Sequence, residues 1–434
     1  MNFKITGGRT LHGTVRVNTS KNAAVALLCA SLLNKGISTF RNVPRIEEVN
    51  RIIEVLESVG VKTKWLNDKD LQITPPTKLE LKKLDRETAI KTRSVIMLLG
   101  PLMHREKTFT LPHPGGCKLG ARSVRPHLFA FEKLGVKVVS RHEDYLINSA
   151  KAKAKTREVV LYESGDTVTE NVLMAAARLP GTTTIKFATA NYMVQDLCQY
   201  LVALGIKIGG IGSTTLTVVG QPEINQAVEF ALSEDPIEAM LFLAIAATTN
   251  SALKIERAPI DFLELELLKL EKMGFKYKIT KYYKSNNGWT NLVDIETKPS
   301  KLKALEEKIH PDPYPGLNID NLPFFVPIAT QAKGQTLIHD WVYENRAIYY
   351  LEMNKLGANV IMADPHRVII DGPTPLHAAE VICPPALRPA AIILIGMLAA
   401  HGESILRNIY SINRGYENLV ERLKKLGAKI ESID

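Results

Sequence analysis

The chain has 434 residues, 45% of them hydrophobic and 23% charged, which excludes a disordered or fibrous polymer and exceeds one ordinary core, so two or three domains are expected. A formal net charge of +10 favours an anionic partner without deciding between nucleic acid, membrane and small metabolite. The four cysteines, Cys29, Cys117, Cys198 and Cys383, are widely spaced with no CxxC pair, which argues against a disulfide framework or a zinc site and for reduced thiols in the cytoplasm.

In chain order, Met1-Asn2-Phe3-Lys4 opens a polar stretch rather than an export signal, and residues 1–19 read as a strand that could pair with either half of the chain. From there one phrase recurs six times: an apolar helix, a β-rich stretch, then an amphipathic helix ending on a glycine. The apolar helices are predicted at 22–33, 94–103, 171–179, 237–247, 322–332 and 389–400. They are apolar nearly all round, so they should be buried, but the longest uncharged runs are shorter than the roughly 20 residues a membrane span requires. The closing glycines are Gly60, Gly135, Gly205, Gly274, Gly357 and Gly427, spaced by 75, 70, 69, 83 and 70 residues. Glycine after the last helical turn is the usual left-handed cap, and a period this regular organises the whole chain. Six buried helices with strands around them predict an α/β fold with helices inward and sheets outward, three units per domain. The junction between the domains is expected near Gln221–Phe230, and the repeat leaves residues 1–19 free to join either one. The repeat alone would also suit a structural solenoid.

Polar residues at the starts of the apolar helices argue for more than a scaffold. These starts are Lys21-Asn22, Thr92-Arg93, Thr169-Glu170-Asn171, Asp235-Pro236, Asp320-Asn321 and Arg388-Pro389, and from Lys21, Arg93, Thr169, Pro236, Asn321 and Arg388 the following hinge glycine is 36 to 42 residues away. Quasi-symmetry within each domain would therefore gather three helix starts at one end. Helix N-termini carry unpaired N–H groups and partial positive charge, so they attract anions. Lys21, Arg93 and Arg388 oppose that dipole, which suggests a bound anion that offsets the cost. Asp235 could be only a helix cap. Two further arginines, Arg346 and Arg414, close matching Asn-Arg dipeptides near the starts of amphipathic helices, and arginine suits forked contact with phosphate or carboxylate.

The stretch Pro112-His113-Pro114-Gly115-Gly116-Cys117-Lys118-Leu119-Gly120-Ala121-Arg122 cannot form a regular element and reads as a loop. Its thiol, flanked by Lys118 and Arg122, has a setting that favours thiolate, although Cys117 could equally be a small residue in a turn. Cys29, Cys198 and Cys383 lie in apolar contexts and read as packing residues. No histidine shows metal-ligand spacing, and no aromatic-interleaved basic stretch suggests nucleic acid.

Together, Ser20-Lys21-Asn22-Ala23-Ala24, the Gly115-Gly116-Cys117 loop, Glu344-Asn345-Arg346 and Asn413-Arg414-Gly415-Tyr416-Glu417 resemble the enolpyruvyl transferase family, over essentially the whole chain. The resemblance is nearer to the branch acting on UDP-N-acetylglucosamine than to the shikimate branch. It implies a two-domain inside-out α/β barrel of six βαβαββ repeats, with the N-terminal strand in the C-terminal domain, hence domains of 20–227 and of 1–19 plus 228–434, and the Cys117 loop as a lid. It also implies transfer of enolpyruvyl from phosphoenolpyruvate to the sugar 3-hydroxyl, opening peptidoglycan precursor synthesis for the cell wall, with no metal or organic cofactor and sensitivity to the epoxide fosfomycin. By motif, Lys21, Arg93, Arg122, Arg346, Arg388 and Arg414 would hold phosphoenolpyruvate. Cys117 would be the acid for the methylene carbon, Asp320 the base for the hydroxyl, and Asn22 would position the reacting groups. Ser123, Val124, Ser164, Gly165 and Thr167, with Asn22, Arg93, Arg122 and Asp320, would hold the UDP-sugar.

The chain departs from the branch pattern at Ser123-Val124-Arg125-Pro126-His127, Glu163-Ser164-Gly165-Asp166-Thr167, Pro236 to Met240, the residues before Asp320, and Ala386. Most of these fall where the nucleotide is expected. A paralogue using another nucleotide sugar or hydroxyl acceptor, and a non-catalytic binding protein on the same scaffold, therefore stay open.

Overall fold

A computed structural model describes residues 1–115, 123–150, 152 and 157–434. Of the loop expected over 112–122, residues 116–122, with Cys117 and Arg122, lie outside the described residues, and Pro112 ends the strand Thr108–Pro112 instead of opening the loop. The described chain forms two compact units, one of residues 19–115 with 123–233, the other of residues 1–18 with 234–434.

The unit of residues 19–233 is built on three apolar segments. Ser20 caps the first, its Oγ accepting from Ala23 N at 3.1 Å, and Lys21–Ala30 then runs as an alanine-rich helix with its last eight residues buried; alanine is the best helix former. Thr92 caps the second, which is 3₁₀ over Arg93–Leu98 and α over Leu99–Leu102. The third is Asp166–Ala177. It starts at Asp166, ahead of the expected start at Thr169-Glu170-Asn171, because Thr169 and Asn171 find their partners inside the unit rather than capping a helix. Thr169 Oγ1 bonds back to the Gly165 carbonyl at 2.8 Å, and Asn171 accepts from Gly100 N and donates to Ile96 O, both at 2.8 Å. Thr169, Glu170 and Asn171 are all buried. Gly100 permits this approach, since a Cβ there would stand 2.6 Å from the Asn171 carbonyl oxygen.

Three sheets flank these helices. One orders Val228–Ala231, Ser38–Arg41, Leu71–Thr74 and Lys62–Trp65; a second orders Thr108–Pro112, Asp144–Asn148 and Lys137–Ser140; the third orders Lys207–Gly209, Thr215–Gly220, Gly181–Lys186 and Arg157–Val160. Val228–Ala231 is a parallel edge strand on Ser38–Arg41, so residues 228–233 fall in this unit, past the expected boundary at 227.

In the other unit the central helices are Pro236–Thr248, Leu387–Ala399 and, between them in sequence, a 3₁₀ turn Leu322–Phe324 continued by Phe325–Ala329. All three touch one another. The middle one is shorter than the expected 322–332 because Pro323 and Pro327 each lack the N–H that an α-helix interior uses. Its sheets are Lys276–Lys284, Asn291–Lys298, Ala252–Pro259, His12–Arg16; Gly334–His339, Arg367–Gly372, Asn359–Asp364; and Glu380–Ile382, Gly402–Arg407, Asn2–Gly7, Lys429–Ile433. The N-terminal strand Asn2–Gly7 lies antiparallel between Gly402–Arg407 and Lys429–Ile433, with Phe3 opposite Leu406 and Ile5 opposite Ile430.

Each unit is thus an inside-out α/β arrangement, helices buried and sheets outward, one sheet for each of the six repeats. All six hinge glycines have positive φ, between +80° and +93°, a region that costs other residues roughly 1–2 kcal/mol. No helix among the described residues is long and apolar enough to cross a membrane.

Candidate active site

Within the unit of residues 19–233, side chains tie the three helix starts together. Lys21 Nζ lies 3.2 Å from Glu48 Oε2. The other oxygen of Glu48 accepts from Thr92 Oγ1 at 3.3 Å and Ser94 Oγ at 3.2 Å, the residues flanking Arg93. Glu48 itself lies in the first turn of the amphipathic helix Glu47–Ser58. Arg93 Nη2 reaches the Ser123 carbonyl at 3.5 Å. Val124 is buried, and one turn on, in the helix Arg125–Lys133, stands His127. Burial, and secondarily the Arg93 charge, push His127 down to about 3, so the ring is neutral at pH 7. Its Nδ1 accepts from the Asn171 amide at 3.1 Å, which leaves Nε2 as donor to Thr167 Oγ1 at 3.4 Å. The imidazole therefore joins the 123–127 segment to the 164–167 segment. Ser164 Oγ donates to the Ala188 carbonyl at 3.5 Å, and Gly165 is the N-cap of the third helix. Asn22 is half-buried and donates from Nδ2 to the hydroxyl of Tyr192 at 3.3 Å.

In the other unit the helix starts also meet. Asp235 caps Pro236–Thr248, with Oδ1 accepting from Ile237 N at 2.8 Å and Glu238 N at 3.4 Å. Burial lifts its carboxyl to about 6, with Arg388 pulling the other way and Glu238 adding to the rise. Arg388 Nη2 contacts Asp320 Oδ2 at 3.2 Å, and its Nη1 donates to the Tyr416 hydroxyl at 2.8 Å. Asp320, placed in the sequence by counting back from Gly334, stands between two guanidiniums, with Arg346 Nη1 at 3.9 Å from its Oδ1. Arg414 ends the short helix Tyr410–Asn413, two residues before Tyr416. Gly415 lets this segment lie on the residue preceding Arg388, since a Cβ there would be 2.1 Å from Leu387 Cδ2.

Arg346 differs from the other arginines. It is 1% exposed, and its fork closes on Asp340, Nε to Oδ2 at 2.6 Å and Nη2 to Oδ1 at 2.9 Å. Tyr350 donates to the same carboxylate at 2.5 Å. Burial works against the Arg346 charge, but Tyr350 and Asp340 more than offset it and raise its pKa. Asp340 and Asp235 are sealed in, whereas the Asp320 side chain keeps 26% exposure, so of these three carboxylates Asp320 is the one a solute's proton can reach.

Four residues of these clusters do not stand out from sequence. Tyr192 lies 13 residues before its hinge glycine, the interval of Arg122 and Arg414, so the period marks its position although it is not a cation, whereas Glu48, at 12, falls one residue off that phase. Asp340 and Tyr350 carry no periodic signal, and only the packing around Arg346 reveals them.

Chemically, each cluster offers cations and N–H groups at helix starts for phosphate or carboxylate, and the second adds an accessible carboxylate beside arginine. Residues 5–423 match the family described as EPSP synthase (3-phosphoshikimate 1-carboxyvinyltransferase). The UDP-N-acetylglucosamine 1-carboxyvinyltransferase of Treponema denticola is 34% identical, the match covering 99% of this chain and 98% of its own. The protein of the same name from Wolinella succinogenes is 35% identical with the same coverage. Among solved structures, the fold is similar to that of the enolpyruvyl transferase NikO from Streptomyces tendae, with a TM-score of 0.85 at 23% identity over 99% of this chain and 98% of that one. It is also similar to EPSP synthase from Acinetobacter baumannii, with a TM-score of 0.77 at 16% identity over the full length of both chains.

Proposed function

Because the chain belongs to the enolpyruvyl transferase family, we propose that it transfers the enolpyruvyl group of phosphoenolpyruvate to the 3-hydroxyl of UDP-N-acetylglucosamine and releases phosphate. The observation that carries this reading is Asp320, an accessible carboxylate held at 3.2 Å by Arg388 at the gathered helix starts of its unit. Asp320 takes the proton from the acceptor hydroxyl as the oxygen bonds to C2 of phosphoenolpyruvate, and Cys117 donates a proton to C3, making a methyl group. Loss of phosphate from C2 and of one methyl proton restores the double bond, so one enol ether and one phosphate leave per donor consumed. Lys21, Arg93, Arg122, Arg388 and Arg414 bind the phosphate and carboxylate and offset charge that develops on them. Arg346, its fork already on Asp340, acts by holding Asp320. Ser123, Val124, Ser164, Gly165 and Thr167 hold the nucleotide, with His127 fixing the two segments against each other.

Cys117 is also the cysteine best suited to the acid role by elimination. Cys29, Cys198 and Cys383 are buried, and burial pushes all three thiols up, Cys198 and Cys383 to about 12. Such thiols are packing groups. The reaction places the protein in the cytoplasm at the entry to peptidoglycan precursor synthesis, where nucleotide sugars are its substrates.

A second reading, the same chemistry on another hydroxyl acceptor, is favoured by one feature. Glu163 and Asp166 flank Ser164 and Gly165, and two carboxylates disfavour an anionic diphosphate beside them. An acceptor panel separates the readings. Phosphate release from phosphoenolpyruvate is measured with UDP-N-acetylglucosamine, other UDP-sugars and shikimate 3-phosphate. Release that depends on UDP-N-acetylglucosamine is expected; release only with another acceptor would establish the second reading, and release with none would remove both.

A further inference from the structure

Tyr192 lies 13 residues before the hinge Gly205, the interval at which Arg122 precedes Gly135 and Arg414 precedes Gly427. In two other repeats this position thus holds a candidate substrate-binding arginine. Here it holds a phenol that is 0% exposed. Its backbone is fixed by the preceding residue, for Asn191 Oδ1 accepts from Tyr192 N at 2.9 Å and caps the helix Tyr192–Ala203. The other end of the Asn191 amide donates to Asp166 at 3.2 Å, tying that cap to the first turn of Asp166–Ala177. The hydroxyl of this rigidly seated ring accepts from Asn22 Nδ2 at 3.3 Å.

We propose that Tyr192 is a positioning residue of the transfer reaction, its hydroxyl fixing the Asn22 amide in the orientation the reaction uses. With Nδ2 directed to the phenol oxygen, Asn22 presents its carbonyl oxygen as an acceptor, and a flipped amide would present donors instead. The repeat position that elsewhere supplies a charge to the ligand supplies here a fixed point for a neutral side chain. The inference rests on the function proposed above, and within that function it gives Asn22 a definite orientation.

A double-mutant cycle tests it on the full-length protein with phosphoenolpyruvate and UDP-N-acetylglucosamine. Tyr192→Phe removes one buried oxygen and keeps the ring. It is expected to lower kcat about tenfold, the scale of a lost hydrogen bond, with the KM for phosphoenolpyruvate within about twofold of wild type. On an Asn22→Ala background the same change is expected to cost less than about twofold, because the amide it orients is gone. An equal loss on both backgrounds, or a Tyr192→Phe protein with wild-type kcat, would overturn the proposal. Thermal midpoints are measured alongside; if kcat falls only in proportion to folded protein, the role is structural and the proposal is likewise overturned. A wild-type protein without turnover would instead count against the reaction itself, which keeps the two failures apart.

Discussion

Asp235 puts a carboxylate where helix geometry wants one and solvent does not reach. As a cap it accepts from two backbone N–H groups, yet burial lifts its pKa from 3.8 to about 6. A folded-state pKa above the unfolded one means that the folded protein favours the protonated form. That contribution to stability is fully present below pH 4 and is lost as pH rises through about 6. Asp235→Asn keeps the accepting oxygen and removes the ionisation. It is expected to stabilise the protein at pH 8 by on the order of 2–3 kcal/mol and to leave stability at pH 4 nearly unchanged, read by calorimetry at both values; a variant less stable than wild type at pH 8 would contradict the assignment. At this scale the candidates that sit at helix starts were readable in the sequence, since Lys21, Arg93, Asp320 and Arg388 fall at one phase of a long period. Asp340 and Tyr350 were not, because a buried partner is chosen by three-dimensional packing. Thr169 misled for a related reason: a hydroxyl before an apolar run reads as a cap, but this one bonds back to the Gly165 carbonyl from within the helix.

Among the elements, the hinge glycines were the most legible feature and the helix interiors the least regular. Each hinge needs positive φ, and Gly205 isolates that requirement. Its φ is +91°, and a Cβ there would meet nothing nearer than the Gln221 side chain at 3.8 Å. Gly205→Ala therefore adds no clash and is expected to cost about 1–2 kcal/mol from backbone strain alone, measured by urea denaturation, with the denaturant slope unchanged. A neutral substitution would show that the turn relaxes into an ordinary right-handed ending. The 3₁₀ segments Arg93–Leu98 and Leu322–Phe324 were not foreseen, because apolar periodicity reports burial and says little about which helical hydrogen bond is made. The extent of the Leu322–Ala329 region was readable in principle from its two prolines.

At the scale of the molecule, the described residues form six sheets that answer to six repeats, and the period sufficed to count them. The place of the N-terminal strand did not follow from periodicity, because a strand read as pairing with either half carries no phase of its own; its pairing with Gly402–Arg407 and Lys429–Ile433 is a property of the fold. The excess of basic residues also takes on meaning only with the clusters in view, where cations stand at helix starts that already attract anions. The central claim is that this chain carries an enolpyruvyl group from one oxygen to another by adding a proton and then removing one. Turnover of phosphoenolpyruvate and UDP-N-acetylglucosamine in heavy water, with the product read by NMR and mass spectrometry, tests it most directly. Transfer through a methyl-bearing intermediate is expected to place solvent deuterium in the vinyl methylene of the product, with one phosphate released per enol ether; product free of deuterium, or phosphate released without enol ether, would contradict it.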